Sequence, residues 1–327
     1  MKYIGSTHYG SLQQLKVMEA LIPSPGPGQA RVRVVASALN PADYKVILGQ
    51  VKFLHGRRFP MCVGYDFSGV IEEMGAPVER KDSFKKGDDV FGFLAYGPAN
   101  NQGAFAQYVI VDLDKVAIKP SQVSHFIAAA AATSGITALQ ALRDQGHLKN
   151  SNTTVLITGV SGGVGSLAVS VASRLGAKTT AIGSGKGLTL ATELGASKVI
   201  DRKKADVFAT ISAQCPDPFD VIFDAAAAYR WKTWKTRLKK DGSFVTTLPS
   251  LAFAQDKLVS LLSPTRVGFV NVKSKAADLE QMGQWLASGM PVHIGKTIPV
   301  RDLAAGLESL MKNEILGRIA VDVENGF

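Results

Sequence analysis

The sequence predicts an α/β protein in which a doubly wound parallel sheet is joined to a second, β-rich domain. Three observations carry this. The chain has 327 residues, about twice the usual length of one domain. From about residue 125 onward, short apolar runs alternate with stretches of helical periodicity, and before that point short β runs are broken by turn residues. With 46% hydrophobic and 20% charged residues the composition is that of a globular protein, which excludes disorder and collagen-like repeats. Cys62 and Cys215 are the only cysteines, so neither a disulfide framework nor a four-thiolate zinc site can form. The N-terminus lacks an apolar h-region and no stretch nears 18 consecutive apolar residues, so the expectation is a cytoplasmic chain with no membrane partner.

In order along the chain, Ala30–Ala38, Gly69–Met74, Asp89–Phe93 and Ala106–Val111 read as β runs, with Pro23, Pro25, Gly26, Pro27 and Gly28 as an early turn cluster. Six short apolar strands then follow, Thr154–Thr158, Thr179–Ile182, Lys198–Ile200, Asp220–Asp224, Ser243–Thr246 and Arg266–Val270. Helices are expected over Gly163–Leu175, Leu188–Leu194, around Trp231 and Trp234, and over Ala252–Leu262. Apolar strands separated by helices imply a parallel sheet covered on both faces, because parallel neighbours need crossover connections. The tail, Ala276–Val323, reads as two amphipathic helices and a last strand from Arg318, and its pattern fits either an extension of that sheet or a return to the first domain.

The chain carries 37 Lys and Arg against 27 Asp and Glu, a net charge of +10. Nucleic acid, an anionic surface or a phosphorylated small molecule would each suit that balance. The densest basic run, Arg230 to Lys240, interleaves cations with tryptophan as single-strand binders do. Trp231, Trp234 and Leu238 nevertheless recur at i, i+3 and i+7, so a helix could bury all three and leave the cations solvated, and no specific nucleic acid is expected.

The strongest local signal is Gly159-Val160-Ser161-Gly162-Gly163-Val164-Gly165, between a predicted strand and an apolar-periodic helix. Gly162 lets backbone approach a pyrophosphate, Gly165 allows close packing of helix on strand, and the helix N-terminus supplies amide donors. This is the dinucleotide fingerprint in the context that supports it, a Rossmann unit. The first glycine of the strict pattern is Val160, so the tight turn must fall on Gly159 or tolerate the side chain. An NAD site expects an acid about 20 residues on. Between Gly165 and Glu193 there is none, and Ser184, Lys186, Arg202, Lys203 and Lys204 stand near the ends of the second and third strands. A hydroxyl and cations there suit a 2′-phosphate, so NADPH is the expected cofactor.

Several longer motifs then resemble the medium-chain dehydrogenase/reductase superfamily, in its zinc-independent quinone oxidoreductase-like branch. They are Asn40-Pro41-Ala42-Asp43-Tyr44-Lys45, Gly64 to Val70, Phe84 to Gly92, Gly103 to Tyr108, and Ala128 to Ala132 followed by Gly135 to Ala138, with Gly162 to Gly165. The resemblance implies a GroES-like, partly open β-barrel catalytic domain formed by residues 1–122 and 271–327, wrapped around an inserted Rossmann domain of residues 123–270. It carries the nicotinamide contacts to Thr137, Val164 and Phe269, and a pyrophosphate contact to Arg318. Zinc alcohol dehydrogenases of the superfamily hold their metal with Cys, His and Cys, at positions that fall on Asn40, Tyr65 and Thr133, none of which is a zinc ligand.

A metal-free enzyme of this kind can still reduce acceptors that are already electrophilic, which implies a quinone or an α,β-unsaturated carbonyl as substrate. Lys45, Tyr44 and Asn40 lie in the segment that resembles the substrate-facing loop. Lys45 is the expected donor to the acceptor oxygen, with Tyr44 or water supplying the proton. The alternatives are an enoyl-thioester reductase on the same fold, or a non-catalytic NADPH- or RNA-binding relative. The resemblance also implies a homodimer paired through the strand near Arg266–Val270.

Overall fold

A computed structural model of the chain describes residues 1–52, 59–77, 84–97, 100–148, 152–203 and 206–327. Lys204, one of the cations matched above to a 2′-phosphate, lies outside the described residues. The chain divides into two units. One comprises Met1–Thr133, Lys273–Gly289 and Ile294–Phe327, the other Ser134–Val272 with Met290–His293.

The first unit begins with β1 (Lys2–Ser6), β2 (Lys16–Glu19), β3 (Gln29–Ala38), β4 (Met61–Cys62), β5 (Asp66–Met74), β6 (Asp89–Phe93), β7 (Tyr108–Asp112) and β8 (Val116–Ile118). The strands β1, β2, β4 and β8 are absent from the sequence reading. The spine is β3. Ala30, Val32, Val34 and Ala36 are buried in alternation, which fixes one face to the core and sends Arg31 and Arg33 outward to Glu72 and Glu73. It pairs antiparallel with β5 from Ala30↔Met74 to Ala38↔Asp66, and with β7 from Gln29↔Asp112 to Arg33↔Tyr108. Past its end the chain enters α1 (Pro41–Ile47). Pro41 sits at the helix start, where its missing N–H costs nothing, and the Asp43 carboxylate accepts from Asn40 N–H at 2.7 Å. Further on, α2 (His125–Leu139) carries the wholly buried run Ala128–Ala132. The window His125–Gln145 is long and apolar enough to cross a membrane, yet 83% of it is buried inside the protein, as in a core helix.

The second unit holds β9 (Thr154–Thr158), α3 (Gly163–Arg174), β10 (Lys178–Gly183), α4 (Lys186–Glu193), β11 (Lys198–Asp201), α5 (Val207–Gln214), β12 (Phe219–Asp224), α6 (Trp231–Trp234), β13 (Leu238–Thr246), α7 (Leu251–Ser260) and β14 (Arg266–Phe269). All six strands are parallel, in the order β11-β10-β9-β12-β13-β14. The chain winds outward from β9 on one side and then on the other, so the order reverses between β9 and β12. Ligands of such sheets bind at the carboxyl ends of the strands where that happens.

Two elements here differ from the sequence reading. The tryptophan helix is a single turn followed by a 3-10 turn, Lys235–Arg237, and Leu238 already opens β13. Trp231, Trp234 and Leu238 are all buried, as the spacing predicts, but a strand supplies the last of them. The indoles lie inside, with Trp231 Nε1–H donating to Thr265 Oγ1 at 2.9 Å, so neither offers a face to a nucleic-acid base. The second difference is α5, capped by Asp206, whose carboxylate accepts from Phe208 N–H at 2.8 Å.

The orientation of α7 is inverted. Its inward face carries Asp256 and Ser260, and Arg230 grips both Asp256 oxygens, at 2.6 and 3.1 Å. Leu251, Leu258 and Leu262 point to solvent at 87%, 69% and 95% exposure.

The tail contributes α8 (Ala276–Ala287), β15 (Ile294–Pro299), α9 (Leu303–Met311) and β16 (Arg318–Asp322). It returns to the first unit. There β16 lies between β15, parallel to it, and β3, antiparallel through Ala320↔Ala38, which completes the order β15-β16-β3-β5-β6-β8.

Candidate active site

In the second unit the chain leaves β9 and turns at Gly159, whose φ of +71° favours glycine. A Cβ on Gly165 would stand 2.1 Å from the Gly159 carbonyl oxygen, so only glycine lets α3 approach the loop this closely. Val160, the departure from the strict motif, is fully buried, and a Cβ on Gly183 would meet its Cγ2 at 2.8 Å. The bulk added at one position is thus matched by a side chain missing at the other. A Cβ on Gly162 would meet nothing nearer than the Gly159 oxygen at 3.5 Å, so the space over the helix start is open. No acid occupies the first turn of α3, and its leading amides have no intrahelical acceptor. Val164 lies in that same turn, half-buried. This cradle of exposed amides and missing side chains fits a dinucleotide pyrophosphate.

The other half of the predicted cofactor set assembles on the neighbouring strand ends. Gly183 pairs with Asp201, and Arg202 N–H donates to the Gly183 carbonyl at 2.9 Å, which brings the ends of β10 and β11 together. Ser184 is half-buried, whereas Lys186 and Arg202 are exposed. Asp201 is the one acid there, and its carboxylate accepts from Lys203 N–H at 3.0 Å in a tight turn. Ser161 packs sideways against α4: a Cβ on Gly187 would lie 2.0 Å from its Oγ. Thr137 is buried on α2, and Phe269 ends β14, where its ring meets Phe253 edge-on at 5.4 Å.

In the first unit, β3, β5 and β16 converge on one buried polar cluster. Asp66 opens β5 and Arg318 opens β16, and both strands flank the end of β3. Asp66 Oδ2 accepts from Arg318 Nη2 at 2.6 Å and from Asn40 Nδ2 at 2.9 Å, while Oδ1 accepts from Thr133 N–H at 2.8 Å. Burial pushes the Asp66 carboxyl upward, and Arg318 with the surrounding donors pulls it partly back. Arg318 also donates to the carbonyls of Ala130 and Leu39 at 2.9 Å and to Asn40 Oδ1 at 3.1 Å.

Two of the expected site residues are bound into this cluster. Arg318 is 3% exposed, and all three of its nitrogens donate within this cluster, which clamps the sheet. Asn40 is buried with its amide shared between Arg318 and Asp66. Tyr44 and Lys45 are half-buried on α1, the Tyr44 phenol raised by burial, and the Lys45 ammonium has no hydrogen bond or ion pair among the described residues.

Sequence reasoning missed Tyr96. It lies just beyond β6, half-buried, with its ring stacked on Tyr65 at 4.0 Å and 25°. Burial holds its phenol well above the usual value, reinforced by the carboxylates of Asp66 and Asp43, whereas the nearby Thr133 hydroxyl acts the other way. No motif marks this tyrosine, and only the neighbours that β5 and α2 bring to it give it a role.

Residues 26–121 match the alcohol dehydrogenase GroES-like domain family, and residues 194–321 match the zinc-binding dehydrogenase family. The chain is 29% identical over 272 residues to a chloroplastic quinone-oxidoreductase homolog of Spinacia oleracea, covering 79% of this chain and 80% of that protein. To the 2-methylene-furan-3-one reductase of Solanum lycopersicum it is 32% identical over 295 residues, 88% of this chain and 70% of the other. Among solved structures it superposes on the quinone oxidoreductase from Coxiella burnetii with a TM-score of 0.86 at 26% identity, covering 98% and 99% of the two chains.

Proposed function

Because this chain belongs to the medium-chain dehydrogenase/reductase superfamily, in its quinone-oxidoreductase-like branch, we propose that it is an NADPH-dependent reductase of quinones or α,β-unsaturated carbonyls that works without a catalytic metal. The observation that carries this reading is the substitution of the metal position. Asn40, Tyr65 and Thr133 offer an amide, a phenol and a hydroxyl, and Asn40 is already bound into the Asp66 cluster. None is a usual zinc ligand, so acceptors that need a Lewis acid, such as simple aldehydes and ketones, are poor substrates.

Bound NADPH would supply hydride from its nicotinamide to an electron-poor carbon. The α3 amides beyond Gly162 would hold its pyrophosphate, and Ser184, Lys186 and Arg202 would hold its 2′-phosphate. Lys45 donates to the acceptor oxygen as negative charge develops there. The relatives named for a quinone and for a methylene-furanone support the two acceptor classes.

The test is turnover with p-benzoquinone and with methyl vinyl ketone in the presence of a chelator, NADPH and NADH being compared. NADPH-selective turnover that survives chelation is expected. Lys45→Met is expected to lower kcat/KM by about 10²–10³-fold if the ammonium acts as an oxyanion donor. Turnover lost to the chelator sinks the metal-free reading, and an unchanged Lys45→Met removes Lys45 from the mechanism.

The same reading extends to assembly as a homodimer. β14 is the free edge of its sheet, and α7 packs beside it with Leu251, Leu258 and Leu262 turned outward. An unpaired edge beside an apolar stripe is a surface that association covers. A second copy pairing β14 across a two-fold axis buries both at once. Sedimentation velocity at micromolar concentration is expected to give a dimer for the wild type and a monomer for Leu258→Glu. A monomeric wild type overturns this assembly.

A further inference from the structure

Thr133 Oγ1 is buried, on a residue only 5% exposed, and makes no hydrogen bond of ordinary geometry. It nevertheless lies near Tyr96 and Asp66, close enough to influence the acidity of both. A hydroxyl sealed away without a partner costs about 1–3 kcal/mol, a cost removed when a ligand oxygen meets it. Beside it stands the Tyr96 phenol, oriented by its stack on Tyr65. Thr133 and Tyr65 occupy two of the positions that hold the metal in zinc-dependent members of the superfamily. Where those enzymes polarise an oxygen with a cation, this chain presents two hydroxyls.

We propose that the hydroxyls of Tyr96 and Thr133 bind the acceptor's carbonyl oxygen, Thr133 as a fixed hydrogen-bond donor and Tyr96 as the acid that protonates it. The assignment rests on the reductase reading above and puts Tyr96 in the place that reading gave to Tyr44 or water as proton source. The step balances. Bound NADPH would supply a hydride, one proton with two electrons, to the electron-poor carbon of an enone or quinone. The carbon–carbon π pair then shifts toward the carbonyl carbon, and the carbonyl π pair becomes a lone pair on an enolate oxygen. That oxygen takes the Tyr96 proton, and the enol so formed tautomerises in water to the saturated ketone or the hydroquinone. The tyrosinate recovers a proton from water, which its partial exposure admits. The phenol stays protonated through neutral pH because burial and the carboxylates of Asp66 and Asp43 all disfavour the tyrosinate. The same groups make that anion short-lived once formed.

The test uses the holoenzyme with methyl vinyl ketone and the variants Tyr96→Phe, which keeps the ring stack, and Thr133→Val. Tyr96→Phe is expected to lower kcat by about 10²-fold or more, with the KM for NADPH and the melting temperature unchanged. Part of that loss should return when imidazolium or phosphate monoanion is added as an external acid, a rescue that a packing defect cannot show. A second readout needs no turnover: with NADP⁺ bound, 4-nitrophenolate, whose visible absorbance reports the state of its oxygen, should bind about tenfold more weakly to each variant than to the wild type. Unchanged kcat in Tyr96→Phe, or a loss that no added acid repairs, overturns the role of Tyr96. Equal nitrophenolate binding in all three proteins overturns the oxygen site. A wild type that turns over no acceptor while still binding nitrophenolate through these hydroxyls overturns the reductase reading and keeps the site.

Discussion

Arg318→Met is expected to destabilise the protein by about 3–5 kcal/mol, the usual cost of leaving a buried charge without its partner. Asp66 is fully buried, and among the described donors to it only Arg318 carries a charge. The effect should depend on pH. The folded Asp66 carboxyl already lies above its ordinary value of 3.8, and without Arg318 it rises further. The folded state then holds that proton more tightly than the unfolded state, so stability gained from it is full below the unfolded value and lost as pH rises. The variant's deficit is therefore largest at neutral pH and narrows as the pH falls toward 3.8. Replacing both partners, as in Asp66→Leu with Arg318→Met, should recover part of the loss, because the uncompensated charge disappears. Urea unfolding across that pH range, with NADPH affinity measured by cofactor fluorescence, checks this. Unfolding at the wild-type midpoint together with a tenfold weaker NADPH affinity would instead make Arg318 a cofactor ligand.

The second large effect separates two glycines of one loop. Gly165→Ala places a methyl group 2.1 Å from the Gly159 carbonyl oxygen, so α3 must move off the loop. Overpacking of this kind costs about 1–3 kcal/mol, and it also displaces the amides that face the pyrophosphate. Stability and NADPH affinity should fall together. Gly162→Ala meets only one atom, at 3.5 Å, and its φ of −92° suits any residue. It should fold with the wild-type melting temperature, yet bind NADPH at least about tenfold more weakly, because its methyl group fills the space over the helix start. Thermal melts and NADPH titrations of the two variants decide the matter. A Gly162→Ala protein with unchanged affinity would remove the pyrophosphate from this loop.

The parallel sheet was legible because its information is local. Each strand in the second unit is a short apolar run such as Val155-Leu156-Ile157, each crossover has helical spacing, and the glycines at the end of β9 carry their own geometric meaning. The departure at Val160 was legible too, but its compensation at Gly183 was not, since the two meet only when β10 lies beside β9. Around Trp231 and Trp234 the period gave burial correctly and the element boundary wrongly. The pairing of β13 with β12 draws Leu238 into a strand, which local spacing cannot express.

The polar residues of the first unit were harder to read for the same reason. Asn40, Asp66, Tyr96, Thr133 and Arg318 are scattered from one end of the chain to the other, and each alone reads as a surface group or a motif letter. Register makes them a cluster: β3 sets Ala38 opposite both Asp66 and Ala320, and the return of the tail delivers Arg318 to the buried carboxylate. Burial then engages Arg318 and Asn40 with internal partners and leaves Thr133 Oγ1 without a hydrogen bond of ordinary geometry, near Tyr96. By itself the sequence determined the two kinds of domain, the dinucleotide loop and the superfamily, because periodicity and glycine geometry act over neighbouring residues. Which polar groups are spent and which are offered, and that α7 turns its leucines outward, was decided only by the tertiary structure, because a hydrogen bond or a solvent-facing side depends on partners distant in the chain.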